Sequence, residues 1–269
     1  MALSPTMNVM LRAAEKASRS LLRDFGEVEQ LQVSLKGPGD FVSAADLRAE
    51  KILYEELLKA RPGFGFLMEE QGEIKGTDGE YRWIIDPLDG TTNFLHGIPH
   101  WAISIALEYR GEIIAGLIYD PVKDEMFRAE KGGGAFMKNK RLRVSGRKDM
   151  PLSVIAGGGP ALNKPHHAAY LKQLKAVLKN VAGFRRLGSA SLDMAYVSAG
   201  RYEAYWEEDL YAWDVAAGAL IVREAGGYVG TLDGKGDPIY GGDMFAANMG
   251  VMNEVRKILT AAAKDSAAA

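Results

Sequence analysis

The chain has 269 residues and no cysteine, which excludes disulfides, thiolate metal sites and cysteine nucleophiles. With 47% hydrophobic and 25% charged residues, it has the composition of a globular protein able to bury a sizeable core. Its 33 Lys and Arg against 35 Asp and Glu give a formal net charge of -2, so no global field favours nucleic acid or an anionic membrane, and the expected partner is a small molecule.

The start of the chain has no basic segment followed by an apolar one, and no apolar run of about 18 residues occurs. Neither export nor membrane spanning is expected, and the expected compartment is the cytoplasm. From Pro5 to Phe25, Met7, Met10, Leu11, Ala14, Ala17, Leu21 and Leu22 recur at three- and four-residue steps between charged residues, which predicts an amphipathic helix. Turn formers crowd residues 36–46. Ser43 then opens a second helical pattern through Ile52, Leu53, Leu57 and Leu58, which stops at Arg61-Pro62-Gly63. Two helices are thus expected before any strand. Short β-rich runs follow from Arg82 at 82–86, 101–109, 112–120 and 124–130, and they suggest an antiparallel meander. Further on, strands are expected near Leu152–Ala156 and Tyr202–Trp206. Helices are expected at about Pro165–Asn180, Ser189–Gly200 and Asp214–Ala225, the last stopped by Gly226-Gly227. The Ala-rich tail after Thr260 reads as a frayed helix end. No repeat or linker divides the chain. One domain over 1–269 is expected, with an N-terminal half of about 1–149 and a C-terminal half of about 150–265.

The most informative string is WIIDPLDGTTN at 83–93, where a buried strand delivers Asp86 and Asp89 onto a Pro/Gly turn. Carboxylates converging with the Leu88 carbonyl suit a hard cation such as magnesium, but the same residues also make an ordinary turn in which Asp bonds its own backbone. Glu69 and Glu70 follow the apolar run at 64–68, either near a cation that relieves their repulsion or on a solvated loop. By position, Asp214 reads first as a helix N-cap, and Ser43 with Asp46 as a capping box. Glu207 belongs to an acidic cluster with Glu208 and Asp209 that could simply be surface charge. His96, His100, His166 and His167 lie in no ligand spacing and receive no role.

Taken together, DPLDGTTNF at 86–94 and WDVAAGALIVREAGG at 213–227 resemble the two signature motifs of the inositol monophosphatase family. The segments 36–46, 68–70 and 186–200 join them in family order, so the resemblance covers essentially the whole chain, with Met68 standing where many members place Gly. It implies an α+β, layered α-β-α-β-α sugar-phosphatase fold, a homodimer, and a lithium-sensitive hydrolase acting on a small phosphate monoester. Inositol 1-phosphate is the leading substrate. Fructose 1,6-bisphosphate, adenosine 3',5'-bisphosphate, histidinol phosphate and NADP are alternatives, and a regulatory binding protein with secondary phosphatase activity is a rival of another class. The resemblance also implies two or three Mg2+ ions, with Glu69, Asp86 and the Leu88 carbonyl holding one and Asp86, Asp89 and Asp214 a second. Thr91 and Glu69 would orient the attacking water, with Lys36 and Asp46 completing the shell. Gly90, Thr91 and Thr92 would receive the phosphate, while Asp89, Gly188, Ser189, Ala190, Glu207 and Asp214 would line the alcohol side.

Overall fold

The computed structural model describes residues 3–28, 33–37, 40–160 and 167–267, with the backbone course alone for 33–37, 40–42 and 264–267. Helix α1 (Pro5–Phe25) begins on Ser4, whose hydroxyl accepts from the Met7 N–H at 3.0 Å. Pro5 opens the helix, where a missing N–H costs little. Met7, Met10, Ala13, Ala14, Ala17 and Leu21 form its buried stripe. Helix α2 (Ala44–Ala60) is capped by the expected Ser43 and Asp46 box and ends at Arg61, ahead of Pro62. Strands β1 (Val33–Gly37) and β2 (Asp40–Ser43) pair antiparallel between the two helices. This corrects the expectation that two helices precede any strand: strands this short carry too little alternation to be read as a pattern.

The larger sheet has eight strands: β3 (Gly65–Met68), β4 (Gly72–Ile74), β5 (Tyr81–Asp89), β6 (Ala102–Tyr109), β7 (Glu112–Asp120), β8 (Glu125–Glu130), β9 (Gly134–Met137) and β10 (Lys140–Arg141). From β5 to β10 it is the expected antiparallel meander, and β3 joins the other side of β5 in parallel. A short helix α3 (Thr91–Leu95) follows β5. The smaller sheet contains β11 (Val154–Gly157), β12 (Gly183–Arg185), β13 (Ala204–Glu207), β14 (Tyr228–Gly230) and β15 (Met244–Ala247), in the order β12-β11-β13-β15-β14. Within it β11 runs parallel to both β12 and β13. The remaining helices are α4 (His167–Leu178), α5 (Ala190–Ser198), α6 (Ala212–Glu224) and α7 (Met252–Ala267). Of the helix expected at about Pro165–Asn180, residues 165 and 166 lie outside the described part. The Ala-rich tail belongs to the end of α7, which runs to Ala267.

Side-chain alternation sorts the strands into layers. On β5, Trp83 and Ile85 pack with the buried stripes of α1 and α2, while Ile84 joins the core built around α5 and α6. On the smaller sheet, Tyr205, Met244 and Ala246 face that same central core. Ala204, Trp206, Phe245 and Ala247 face a third core, with Val177 of α4 and Val255 and Leu259 of α7. The order is therefore α1/α2, large sheet, α5/α6, small sheet, α4/α7, the layered α-β-α-β-α arrangement expected. Lying between two sheets, α5 and α6 are buried on almost every side, so apolar residues occur on all their faces rather than in one stripe.

Candidate active site

Parallel pairing of β3 with β5 sets Met68 beside Ile85, so the next residues, Glu69 and Asp86, emerge side by side at the carboxyl end of β3. The Glu69 N–H reaches the Ile85 carbonyl at 3.3 Å, continuing the alignment. Glu70 turns elsewhere: its N–H donates at 2.8 Å to Glu50, a buried carboxylate of α2 that anchors this turn. Beyond Asp86, β5 does not stop in a turn. It runs on to Asp89 through an irregularity at Pro87-Leu88, where the Leu88 N–H donates to Asp86 Oδ1 at 2.9 Å, before re-pairing Asp89 with Ala102. This bulge brings both carboxylates to the same end of the sheet.

Gly90 then has φ 97°, a conformation that strains other residues, and a Cβ there would stand 3.2 Å from the carbonyl oxygens of Gly188 and His100. The first ladder bond of α3 runs from the Phe94 N–H to the Gly90 carbonyl, so the Thr91 and Thr92 N–H groups lie ahead of the helical ladder. Thr91 Oγ1 stands 3.1 Å from Asp46 Oδ1 and 3.1 Å from the Leu88 carbonyl. Asp46 thus joins its cap role to the site. Its carboxyl is raised by burial, against the lowering effect of its bonds from Ser43 and Thr91. Lys36 lies on β1, and its side chain is outside the described residues.

Asp214 occupies the third position of α6 rather than the N-cap, because the helix starts two residues earlier than its pattern suggests. Its carboxylate accepts from the Tyr211 N–H at 2.7 Å. Ser104 of β6 donates to the Trp213 carbonyl at 3.2 Å, tying the start of α6 to the sheet next to Asp86. Asp89 Oδ2 accepts from the Ser189 hydroxyl at 2.6 Å, from the Ser191 N–H at 2.8 Å, and from the Ser191 hydroxyl. Asn93 ties the same loop down, with Nδ2 donating to the His100 carbonyl at 2.8 Å and the Leu187 carbonyl at 2.7 Å. Gly188, Ser189 and Ala190 are therefore fixed against the carboxylates. Glu207 stands at the end of β13, where Tyr205 donates to its Oε2 at 2.6 Å, and is not a loose surface charge.

These positions have a common electrostatic signature. Asp86 is pushed well above the usual carboxylate range by burial first, then by the charges of Glu69, Asp89 and Asp214. Asp214 is raised by burial and then by Asp89, with Glu69 and Glu207 adding to it. Glu207 is raised to about 7 by burial, with its Tyr205 bond opposing. Hard oxygen donors that repel one another in a dry place are a donor set suited to a divalent cation, which would remove both penalties. Among the described residues, no three His, Asp or Glu side chains are drawn in tightly enough to enclose an ion in this conformation. The donor set fits a divalent cation by its chemistry, since Asp86 feels the negative charges of Glu69, Asp89 and Asp214 with no cation among its influences. The histidines stand apart. His96 Nδ1 lies 2.8 Å from the Thr92 carbonyl, His100 sits by Lys123, His167 is exposed at the start of α4, and His166 is outside the described residues.

Sequence reading missed Glu50, Asn93, Ser191, Asp193 and Tyr205. Asp193 offered a signal, since it is the one charged residue of α5, and it is buried and raised well above its usual range by burial and then by Glu207. Asn93 and Ser191 are ordinary polar residues whose partners lie about a hundred positions along the chain, while Glu50 and the nearby pair Tyr205 and Glu207 gain their roles only from how the layers pack.

Comparison with known proteins bears on this geometry. The model of the inositol monophosphatase family matches residues 2–268. The inositol-1-monophosphatase of Rhizobium meliloti (strain 1021) is 56% identical over 259 residues, covering 96% of this chain and 97% of the relative. A Nus factor SuhB of Pseudomonas aeruginosa is 42% identical, covering 91% of this chain and 92% of its own length. Among solved structures, the extragenic suppressor protein suhB of Bartonella henselae superposes with a TM-score of 0.93 at 55% identity, over 95% of this chain and 98% of that one.

Proposed function

Because this chain belongs to the inositol monophosphatase family, we propose that it hydrolyses inositol 1-phosphate to inositol and phosphate in a magnesium-dependent reaction. It is a metal-dependent phosphatase of phosphate monoesters by family. The observation that supports the finer reading is the buried Asp86 surrounded by the charges of Glu69, Asp89 and Asp214. Magnesium ions, one at Glu69, Asp86 and the Leu88 carbonyl, a second at Asp86, Asp89 and Asp214, and a weaker third, would supply positive charge at the phosphate and a more acidic water.

The chain's own groups position the reactants. Thr91 has a single hydroxyl proton, and giving it to Asp46 leaves lone pairs that accept from the attacking water. Glu69 accepts the water's other hydrogen, so attack is aimed by two groups on separate elements, and Lys36 completes the shell. The N–H groups of Gly90, Thr91 and Thr92 receive phosphate oxygens. On the alcohol side, Glu207 accepts a substrate hydroxyl, with Asp89, Gly188, Ser189, Ala190 and Asp214 along the same wall. Water attacks phosphorus directly, without a phosphoenzyme. The protein works as a homodimer in the cytoplasm and is inhibited by lithium.

The test is phosphate release from inositol 1-phosphate, fructose 1,6-bisphosphate, adenosine 3',5'-bisphosphate, histidinol phosphate and NADP, with magnesium and with chelator. Preference for inositol 1-phosphate with magnesium, abolished by chelator, is expected. Preference for another ester would change the substrate and keep the chemistry, whereas release untouched by chelator would overturn the metal assignment. The relatives named Nus factor SuhB motivate a second reading, in which a macromolecular partner matters more than hydrolysis. A stoichiometric partner retained by Asp89→Asn, together with no phosphate release by the wild type, would favour it.

A further inference from the structure

At the carboxyl ends of the parallel strands β11 and β13, where Gly157 pairs with Trp206, glycine occupies positions 157, 158 and 159 in succession. None of these is among the glycines with positive φ, so turn geometry does not account for them. Close packing does. A Cβ on Gly157 would lie 3.1 Å from the Trp206 ring, and one on Gly159 would lie 3.2 Å from the Tyr170 ring. A Cβ on Gly158 would fall 1.7 Å from Glu207 Cδ and 1.8 and 1.9 Å from its two carboxylate oxygens. The Glu207 carboxylate therefore lies directly on the bare backbone of Gly158, in the place any side chain would take. From the other side, the fully buried Tyr205 donates its hydroxyl to Oε2 at 2.6 Å. Surrounding charge does not secure this position: Asp89 acts on Glu207 more strongly than Arg186 does and with the opposite sign. Asp193 adds a further carboxyl nearby, with an Oδ1 that makes no hydrogen bond among the described residues.

We infer that Gly158 and Tyr205 are positioning residues that fix the Glu207 carboxylate against the alcohol part of the substrate, and so set the preference for a polyol ester over a simple one. The inference rests on the reading that Glu207 accepts a substrate hydroxyl. A carboxylate discriminates among polyols only when its oxygens are held where the hydroxyls arrive, because a mobile acceptor bonds any alcohol or water equally well. An alanine at 158 meets the far end of a flexible side chain, so the carboxylate yields rather than the sheet, and Tyr205 loses its acceptor.

The test compares wild type, Gly158→Ala, Tyr205→Phe and Glu207→Gln, with magnesium, on inositol 1-phosphate and on ethyl phosphate as the simple ester, whose alcohol carries no further hydroxyl. Gly158→Ala and Tyr205→Phe are each expected to lower the ratio of the two kcat/KM values roughly tenfold, chiefly through the KM of inositol 1-phosphate. Adding Gly158→Ala to Glu207→Gln is expected to cost little more than Glu207→Gln alone. A crystal structure of Gly158→Ala is expected to show the carboxylate displaced from the Tyr205 hydroxyl. Equal losses on both esters, an unchanged ratio in both positioning variants, or a carboxylate still in place would overturn the inference. Wild-type kinetics judge the substrate reading separately: if another polyol ester is preferred, the ratio is taken with that ester, and a wild type with no preference among alcohols overturns this inference as well.

Discussion

The two ends of β5 carry buried charge in opposite ways. At its start, Arg82 Nε donates to Glu108 Oε2 of the neighbouring strand at 2.9 Å, and Arg82 Nη2 donates to the Tyr240 hydroxyl at 2.8 Å. Tyr240 in turn donates to Glu108 Oε1, so the buried carboxylate has both oxygens engaged. At its end, Asp86 and Asp89 lie among Glu69 and Asp214, and the charges acting on Asp86 are those of the other carboxylates. One end is neutralised from within the chain, while the other keeps a surplus of negative charge that folding alone does not relieve. Ordinary cores avoid such a surplus, and its presence at the carboxyl end of a strand is the mark of a site built for function at the expense of local stability.

If this contrast is right, substitutions at the two ends have opposite effects. Asp89→Asn removes charge from the surplus end. Turnover should fall by roughly a thousandfold or more, with a melting temperature no lower than wild type in magnesium-free buffer; near-normal turnover would sink the assignment of Asp89. Glu108→Ala removes the buried acceptor that the partly exposed Arg82 guanidinium and the Tyr240 hydroxyl share at the paired end. Denaturant unfolding should show a loss of about 2 kcal/mol, with turnover per folded molecule little changed, and a loss of turnover at full stability would erase the distinction between the two ends.

A smaller effect comes from a third kind of buried group. His100 is lowered to about 4 by burial and then by Lys123, which itself bonds Asp120 at 2.6 Å. A base lowered in the fold takes up its proton first in the unfolded chain, so its contribution is present above about 6.5 and is lost as pH falls from there toward about 4. Allowing for partial solvent screening, wild type should lose about 2 kcal/mol more than His100→Gln across that window. Parallel stability curves for the two proteins would show that His100 is not the group responsible.

Much of the scaffold was legible. The stripe at Met7, Met10, Ala14, Ala17 and Leu21, the box at Ser43 and Asp46, and the alternating runs of β6 and β7 are local patterns with local causes, and they placed α1, α2 and the meander nearly to the residue. The carboxylates were legible as residue types, and the family resemblance supplied the grouping that position alone did not. The bulge at Pro87-Leu88, the strand pair before α2 and the third-position placement of Asp214 were not legible, because each depends on pairing with another element rather than on spacing along its own.

By itself the sequence determined the long helices and the meander strands, which of their faces are apolar, and that four carboxylates are available for a hard cation. Only the tertiary structure decided that Asp89 is gripped by Ser189 and Ser191, that Asn93 ties its turn to the Leu187 carbonyl, and that Glu207 rests on Gly158 beneath the Tyr205 hydroxyl. Local propensity and hydrophobic period act over a few residues. Hydrogen bonds between Asp89 and Ser191, or contact between Gly158 and Glu207, join residues dozens of positions apart and exist only once the layers have packed.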